Sequence, residues 1–227
     1  MTFRFFQAAA AALLFCAALA GPAGAAAAQR TQLADPPNEP ADIRALHEFS
    51  RCAAQRWEGR ARAILAMDYR TDDYRNRIRR FAQDQWRCFP RGMLRFGQML
   101  FAGGMAEALL PGRLAGADLA ARVAHDPARP PLQARDQSEM MSLCTVRAAS
   151  AEVAALLRTQ AASEPETAAL RGLIPQMSRC LGAGQAVRVN RVGMRSVLAL
   201  AAYRLAEHGG AVRTASAGRP ALDGTTR

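Results

Sequence analysis

The sequence predicts an all-α fold: a tandem duplication of a disulfide-stapled helical hairpin plus a third helix, with about six main helices. Three observations support this fold class. Four cysteines form two pairs with the same spacing of 36 positions, Cys52 with Cys88 and Cys144 with Cys180. Apolar residues recur at steps of three and four, as on one face of a helix. No stretch shows the sustained apolar–polar alternation that is typical of a half-buried strand.

The cysteine spacing predicts one disulfide within each hairpin. The midpoints of the two pairs, Arg70 and Ala162, lie beside helix-start signals. Residues equidistant from the turn of an antiparallel hairpin lie opposite each other, so the two cysteines of a pair meet at its open end. Four cysteines allow three connectivities, and the matched spacing favours the pairing within each repeat. Buried free thiols are the alternative; a zinc site fits poorly, because no C-x-x-C pair or nearby histidine completes a ligand set.

Other residues recur with the cysteines. At an offset of 92 positions, Ser50 and Leu65 match Ser142 and Leu157. After the second cysteine of each pair the offset becomes 100, which aligns Glu107 with Glu207. An internal duplication explains both sets of matches.

Residues 1–28 are predicted to be a signal peptide. Arg4 supplies a positive n-region, an apolar run extends from Phe5 to Ala20, and small residues allow cleavage after residue 25 or residue 28. The apolar run is short for a membrane span, so no transmembrane segment is expected in the mature chain. Cys16 leaves with this segment, and the even number of remaining cysteines agrees with a periplasmic or secreted location.

A polar, proline-rich lead at 29–41 is expected to be disordered. The first repeat, 42–112, is predicted to contain three helices, at 42–68, 72–89 and 91–110. Thr71 supplies an N-cap for the second of them. A linker at 113–135 is predicted to contain one short helix, at 118–125.

The second repeat, 136–208, is predicted to contain helices at 137–161, 164–181 and 190–208. Asp136 with Glu139, and Ser163 with Glu166, are typical capping boxes at the first two of these helices. A short extended piece is expected near Val187 to Val189. Gly209-Gly210 is expected to stop the last helix, and the tail at 209–227 is expected to be disordered.

The chain is strongly basic, and every basic side chain apart from histidine is arginine. The formal net charge is +11, and one unit leaves with the signal peptide. Codon bias in a GC-rich genome explains the absence of lysine. The charge favours anionic partners, which for an exported protein are envelope phospholipids, acidic glycans or acidic proteins rather than nucleic acid.

One candidate anion-binding stripe lies beside the buried face of the second predicted helix. At 100° per residue its four arginines project within about 80° of one another, and guanidinium groups suit phosphate and carboxylate oxygens. The alternative is a solvated face in which Asp84 pairs with a neighbouring arginine. The four residues are Arg77, Arg80, Arg87 and Arg91.

No catalytic, metal-binding or cofactor-binding motif is found. His47, His125 and His208 are far apart, and no carboxylate or thiol cluster surrounds them in the sequence. Glu107 and Glu207 align between the repeats, but solvated charges are expected there rather than acid–base catalysis. Trp57 and Trp86 are expected to pack near the cysteine ends of the first hairpin.

The second repeat resembles a family of exported bacterial proteins without assigned function. The family pattern has a cysteine near the start of one helix, then A-L-L-x-T, then C-L-x-x-G and a final arginine-containing helix. The resemblance covers 142–207 well and 50–110 weakly, and it departs at Leu200-Ala201-Ala202. It implies export and the repeat, and it assigns no catalytic residues. The matching residues are Cys144, Ala155 to Leu157, Thr159, Cys180, Leu181, Gly184, Arg195, Leu198 and Tyr203-Arg204.

The sequence therefore predicts a non-enzymatic exported helical-repeat protein that binds a protein partner in the cell envelope. The alternative is binding of anionic envelope lipid or glycan through the arginine stripe. An enzyme without a recognisable motif is the third hypothesis.

Overall fold

The computed structural model describes residues 32–34, 40–89, 94–110, 118–123, 130–182, 185 and 188–217. The predicted signal peptide, Arg91 and His125 lie outside this part of the chain. The fold is all-α, as predicted, with one short pair of strands. The first half contains β1 (Gln32–Ala34), α1 (Pro40–Arg56), α2 (Glu58–Ala66), α3 (Asp72–Asp84), a 3₁₀ turn (Trp86–Cys88) and α4 (Gln98–Leu109). The remainder contains α5 (Asp118–Val123), α6 (Gln137–Ala148), α7 (Ser150–Arg158), α8 (Glu164–Arg179), β2 (Arg188–Asn190) and α9 (Arg191–Ala217).

Both predicted disulfides are confirmed. Cys52 is bonded to Cys88 and Cys144 to Cys180, and the Cα atoms of each pair are 5.7 Å apart. Each disulfide therefore links two segments of the same half of the molecule.

Each long first helix is broken, so the predictions of single helices at 42–68 and 137–161 were wrong. Trp57 separates α1 from α2, with φ −133° and ψ 51°. Ala149, 92 positions later, separates α6 from α7 with nearly the same backbone angles, φ −137° and ψ 46°. Neither break falls on a glycine or proline, although Gly59 follows the first break by two residues. The two breaks are therefore separated by the same interval of 92 positions as the predicted repeats.

The predicted caps close the turns of both hairpins. Thr71 Oγ1 accepts a hydrogen bond from the Tyr74 backbone N–H over 3.2 Å, and Ser163 Oγ accepts one from Glu166 over 3.2 Å. Asp136 Oδ1 caps α6 in the same way through the Glu139 N–H, over 2.9 Å. These bonds satisfy donors in the first helical turn that have no partner within the helix.

The helices on either side of Pro90 are shorter than predicted. α3 ends at Asp84 and passes into the 3₁₀ turn, and α4 begins only at Gln98 after an irregular stretch at 94–97. In the second half, the helix before the second cysteine is longer. There α8 extends to Arg179, next to Cys180, whereas α3 ends four residues before Cys88.

The centre of the molecule is the contact between α4 and α9. α4 is buried nearly all round, with Phe101 and Met105 fully inaccessible. A Cβ atom added to Gly103 would lie 2.4 Å from Ser196 Cβ, and one added to Gly104 would lie 2.5 Å from Ser50 Cβ. Because these two glycines have no side chain, α4 can approach α9 on one side and α1 on the other.

Two predictions about the ends of the fold were wrong. α9 continues through Gly209-Gly210 to Ala217, since glycine costs a helix only about 1 kcal/mol per residue and does not forbid it. β1 lies in the lead that was expected to be disordered, and it pairs in parallel with β2, with Leu33 opposite Val189. The extended piece before α9 was predicted correctly, and Asn190 Oδ1 accepts a hydrogen bond from the Gly193 N–H over 2.7 Å.

Within the described ranges, no single helix is long and apolar enough to cross a membrane. By length and composition, α6 and α7 pass that test together, although the chain bends by 100° between them.

Candidate functional site

A buried charge cluster joins the two halves of the molecule. We call His47, Glu107, Glu166 and Arg195 the charge cluster. Arg195 on α9 binds Glu107 on α4 through two hydrogen bonds, Nε to Oε2 over 2.8 Å and Nη2 to Oε1 over 2.6 Å. Its Nη1 also donates to Glu166 Oε1 over 3.1 Å. The side chains of Arg195 and Glu166 are only 5% and 3% exposed, so these charges compensate one another away from water.

Arg195 also closes the turn between α7 and α8. Nη2 donates to the Thr159 carbonyl over 3.0 Å, and Nη1 donates to Thr159 Oγ1 over 3.1 Å. One guanidinium therefore ties α4, α8 and α9 to the carbonyl end of α7. This satisfies helix-end carbonyl groups that have no partner within the helix.

His47 on α1 lies at the edge of the charge cluster. Its Nε2 is 3.0 Å from Glu107 Oε1. Nε2 is buried and has no hydrogen-bond partner among the described residues. The sequence shows no carboxylate cluster around His47, and Glu107, 60 positions away, comes close to it only in the fold.

The charge cluster keeps Glu107 ionised. Burial raises the pKa of the Glu107 carboxyl, but the contacts with His47 and Arg195 lower that pKa by more, so it lies below its usual range. Burial likewise lowers the pKa of Arg195, and its bonds to Glu107 and Glu166 raise that pKa above its usual range. Both groups of the central pair are therefore charged at neutral pH.

A cavity of about 580 Å³ opens from the charge cluster to solvent. We call it the arginine pocket. One wall is α1 of the first half, and the opposite wall is the α7–α8 turn of the second half. His47 and Glu107 line it together with Arg44, Glu48, Arg51, Gly104, Ala108, Leu157, Arg158, Thr159, Gln160 and Ala161.

Three arginines of the pocket have no carboxylate partner in the described part of the chain. Arg51 and Arg158 are exposed and Arg44 is half-buried, and none of the three has an ion pair with a described residue. Glu48 also lines the cavity and offsets part of their charge. The rim therefore has three guanidinium groups and one carboxylate, which favours an anionic occupant.

The corresponding surface on the other side of the molecule is charged but internally paired. There the start of α6 packs against the α2–α3 turn. Tyr69 donates to Asp136 over 2.5 Å, and Arg70 binds Asp68 over 2.7 Å. Arg204 forms an ion pair with Glu139. The guanidinium group of Arg135 lies 4.0 Å from a carboxylate oxygen of Asp68 and from one of Glu139. Three carboxylates and three arginines thus neutralise one another at this surface.

The two surfaces occupy matching positions with inverted charges. His47 and Glu139 are 92 positions apart, and their partners, Glu107 and Arg204, are 97 positions apart. The contacts therefore favour an offset of 97 for α4 and α9, rather than the predicted 100. Arg44 matches Asp136 at the same offset of 92. An acidic position in one half is thus a basic position in the other.

The structure keeps only Arg77 and Arg80 of the predicted arginine stripe together: both lie on α3 and line one cavity. Arg77 pairs with Asp73 through Nε over 2.8 Å, and Arg87 lies in the 3₁₀ turn, beyond the end of α3, with its guanidinium 5.2 Å from the Trp86 ring centre. Arg80 stays on α3, and Arg91 lies outside the described residues. Asp84, expected to pair within the stripe, binds Arg60 of α2 instead. A continuous helix would be needed to align the four residues, and α3 ends too early.

Glu207, His208 and the two tryptophans, the remaining sequence candidates, do not line the arginine pocket. Glu107 and Glu207 do not face each other, because Glu207 pairs with Arg62 over 2.9 Å at a partly exposed site. His208 Nε2 lies 3.1 Å from the Pro130 carbonyl. The expectation that Trp57 and Trp86 pack was wrong, since they are 50% and 64% exposed. Across the described residues, no group of three or more His, Cys, Asp or Glu side chains is placed to hold a metal ion.

Comparison of the chain with protein-family models, with curated proteins and with solved structures finds no match. The resemblance to an exported bacterial family stays a prediction. The proposed function therefore rests on the geometry of the arginine pocket.

Proposed function

We propose that the protein is an exported, non-enzymatic binding protein that captures a carboxylate- or phosphate-bearing ligand in the arginine pocket. The observation that carries the proposal is the contrast between the two matched surfaces. Both surfaces have a cavity, but one neutralises its charges internally. The other presents Arg44, Arg51 and Arg158, which have no carboxylate partner among the described residues. Guanidinium groups bind carboxylate and phosphate oxygens in a planar, often bidentate geometry. A ligand anion would supply the charge that the pocket lacks.

The pocket supports binding better than catalysis. Thr159 provides the one hydroxyl among the described lining residues. That hydroxyl donates to the Leu156 carbonyl over 2.6 Å and accepts from Arg195, so it is not prepared to act as a nucleophile. Glu107, the carboxylate beside His47, is held by Arg195 and has a lowered pKa, which makes it a poor general base.

Export is part of the same proposal. The two disulfides are compatible with an oxidising compartment. The sequence of residues 1–28 has the order of a cleaved signal peptide, so we place the mature protein in the periplasm or outside the cell.

Isothermal titration calorimetry at low salt tests the binding proposal. The probes are inorganic phosphate, a tricarboxylate and a short glutamate-rich peptide, each titrated into the oxidised mature protein. We expect at least one probe to bind, and we expect the double variant Arg44→Gln with Arg158→Gln to bind it at least about tenfold more weakly, since bonds to charged groups contribute about 1.5–3 kcal/mol each.

The matched control is Arg179→Gln, an exposed arginine of α8 that hydrogen-bonds Gln176 and lies outside the pocket. It should leave affinity unchanged. The proposal is wrong if none of the probes binds, or if the control weakens binding as much as the pocket variant does.

The choice of probes separates the hypotheses from the sequence. Binding of the peptide but not of phosphate would favour the expected envelope protein partner, recognised through an acidic segment. Binding of small anions alone would favour a free solute. Turnover of a bound probe, lost in His47→Ala, would instead support an enzyme.

A further inference from the structure

The first half presents an exposed tryptophan pair that the arginine pocket does not use. Trp57 lies at the break between α1 and α2, and Trp86 lies in the 3₁₀ turn. They are half-exposed or more, and they are the only tryptophans of the chain. Both lie close in sequence to the Cys52–Cys88 disulfide, so both are at the open end of the first hairpin.

The first hairpin, which carries both indoles, has an excess of arginine. Residues 56–89 contain nine arginines and five acidic residues. Each of the five carboxylates has an arginine partner within the same stretch. The exposed arginines without a carboxylate partner in the described structure are Arg56, Arg79, Arg80 and Arg87.

One of these arginines is arranged with a tryptophan. The Arg87 guanidinium lies 5.2 Å from the centre of the Trp86 ring, within the range of a cation–π contact. The indole and the charge therefore project into solvent together. Arg60 of α2 pairs with Asp84 of α3 over 3.1 Å, which brings the segments next to Trp57 and Trp86 together. We call five exposed residues of this region, Trp57, Trp86, Arg56, Arg80 and Arg87, the tryptophan–arginine face.

The second half keeps only one member of this face at the predicted repeat offset, since Arg179 stands at the position of Arg87. At the offset of 92, Ala149 and Ser178 replace the two tryptophans. Ala148 and Gly172 replace Arg56 and Arg80. The fold itself therefore requires neither the indoles nor these charges.

We propose that the tryptophan–arginine face docks the protein on an anionic phospholipid surface. Indoles are favoured at the headgroup level, where an apolar ring and a polar N–H are both accommodated. Arginines near an anionic leaflet bind its phosphates and are attracted by its surface potential. A soluble anion would satisfy the arginines and leave both indoles in water, so a lipid surface fits the whole face. This docking is independent of the ligand in the arginine pocket.

Tryptophan fluorescence tests the docking directly, because Trp57 and Trp86 give the entire signal. The mature protein is titrated with vesicles of phosphatidylglycerol and phosphatidylcholine, and with vesicles of phosphatidylcholine alone. We expect a blue shift and quenching by brominated acyl chains with the anionic vesicles only. Raising the salt from about 0.1 M to 1 M, which shortens the Debye length from about 10 Å to 3 Å, should reverse the binding.

Co-sedimentation with the same vesicles measures the variants. Trp57→Ala with Trp86→Ser copies the residues of the second half, which lowers the risk of misfolding, and should reduce vesicle affinity at least about tenfold. Arg56→Ala and Arg80→Gln should each reduce it about fivefold. The control is Met140→Ser, which removes the exposed methionine of the second half.

Three results would overturn the docking proposal. They are equal binding to neutral vesicles, an unshifted emission spectrum on bound vesicles, and undiminished binding by the double tryptophan variant. The double variant Arg44→Gln with Arg158→Gln should keep full vesicle affinity, so a failure of the arginine pocket and a failure of docking are distinguishable.

Discussion

Arg195 and Glu107, 88 positions apart, form a two-bond ion pair between the halves of the molecule, with a shortest contact of 2.6 Å. Each disulfide stays within one half. The halves are therefore joined by noncovalent contacts: this ion pair, the apolar contact between α4 and α9, and smaller contacts such as Tyr69 with Asp136.

Removing the arginine of this pair should destabilise the fold strongly. In Arg195→Met the apolar bulk is kept, but Glu107 and Glu166 lose their guanidinium partner while they remain buried. We expect a loss of about 3–5 kcal/mol, measured by urea unfolding of the oxidised protein. Arg179→Met on the exposed face of α8 is the control and should change stability by less than about 0.5 kcal/mol. Equal losses in the two variants would contradict a structural role for the charge cluster.

Stability should fall at acidic pH partly through Glu107. Its folded-state pKa is below the ordinary value of 4.5, so its contribution is fully present above that value and is lost as pH falls through the folded-state pKa. Unfolding free energies measured from pH 7 to pH 2.5 should show this loss. In Glu107→Gln the stability at neutral pH should be lower and its decline below pH 4.5 shallower. An unchanged acid slope in the variant would count against the assignment.

The close approach of α4 and α9 predicts opposite effects for two Gly→Ala substitutions. Gly103→Ala places a methyl group 2.4 Å from Ser196 Cβ and 2.5 Å from Ser196 Cα, so the two helices must separate. We expect a loss of about 1–3 kcal/mol. Gly172→Ala on α8 meets nothing within 4 Å and should gain up to about 1 kcal/mol from helix propensity. Thermal unfolding of both variants checks the pair, and a stabilised Gly103→Ala would exclude the tight contact.

The two disulfides should contribute similarly to stability. Each closes a loop with a sequence separation of 36, with Cα atoms 5.7 Å apart. The chain-entropy account gives roughly 3–4 kcal/mol for a loop of this length. Replacing Cys52 and Cys88 by alanine, or Cys144 and Cys180, should therefore cost comparable amounts in denaturant unfolding. A large difference between the two variants would show that native contacts, not loop length, decide the effect.

The features that sequence analysis predicted correctly depend on local or evenly spaced signals. Cysteine pairing followed from equal intervals, and the caps at Thr71, Asp136 and Ser163 followed from short polar side chains next to apolar periodicity. The same signals located the starts of α3, α6 and α8.

What sequence analysis missed depends on contacts between distant parts of the chain. The break at Trp57 falls on neither a glycine nor a proline, and its recurrence at Ala149 becomes visible only when the two halves are compared in space. The charge cluster is assembled from four elements, so His47 looked isolated. A search for charge inversion at the offset of 92, such as Arg44 against Asp136, would have indicated the arginine pocket.

The predicted duplication within one chain would have a consequence for the pocket. In a homodimer of identical subunits about a twofold axis, a residue on one side of the axis is necessarily repeated on the other. Both grooves would then bear the same side chains, and every mutation would alter them together. A covalently joined pair removes that constraint, so one groove can neutralise itself and stabilise the scaffold while its mate stays cationic and accessible.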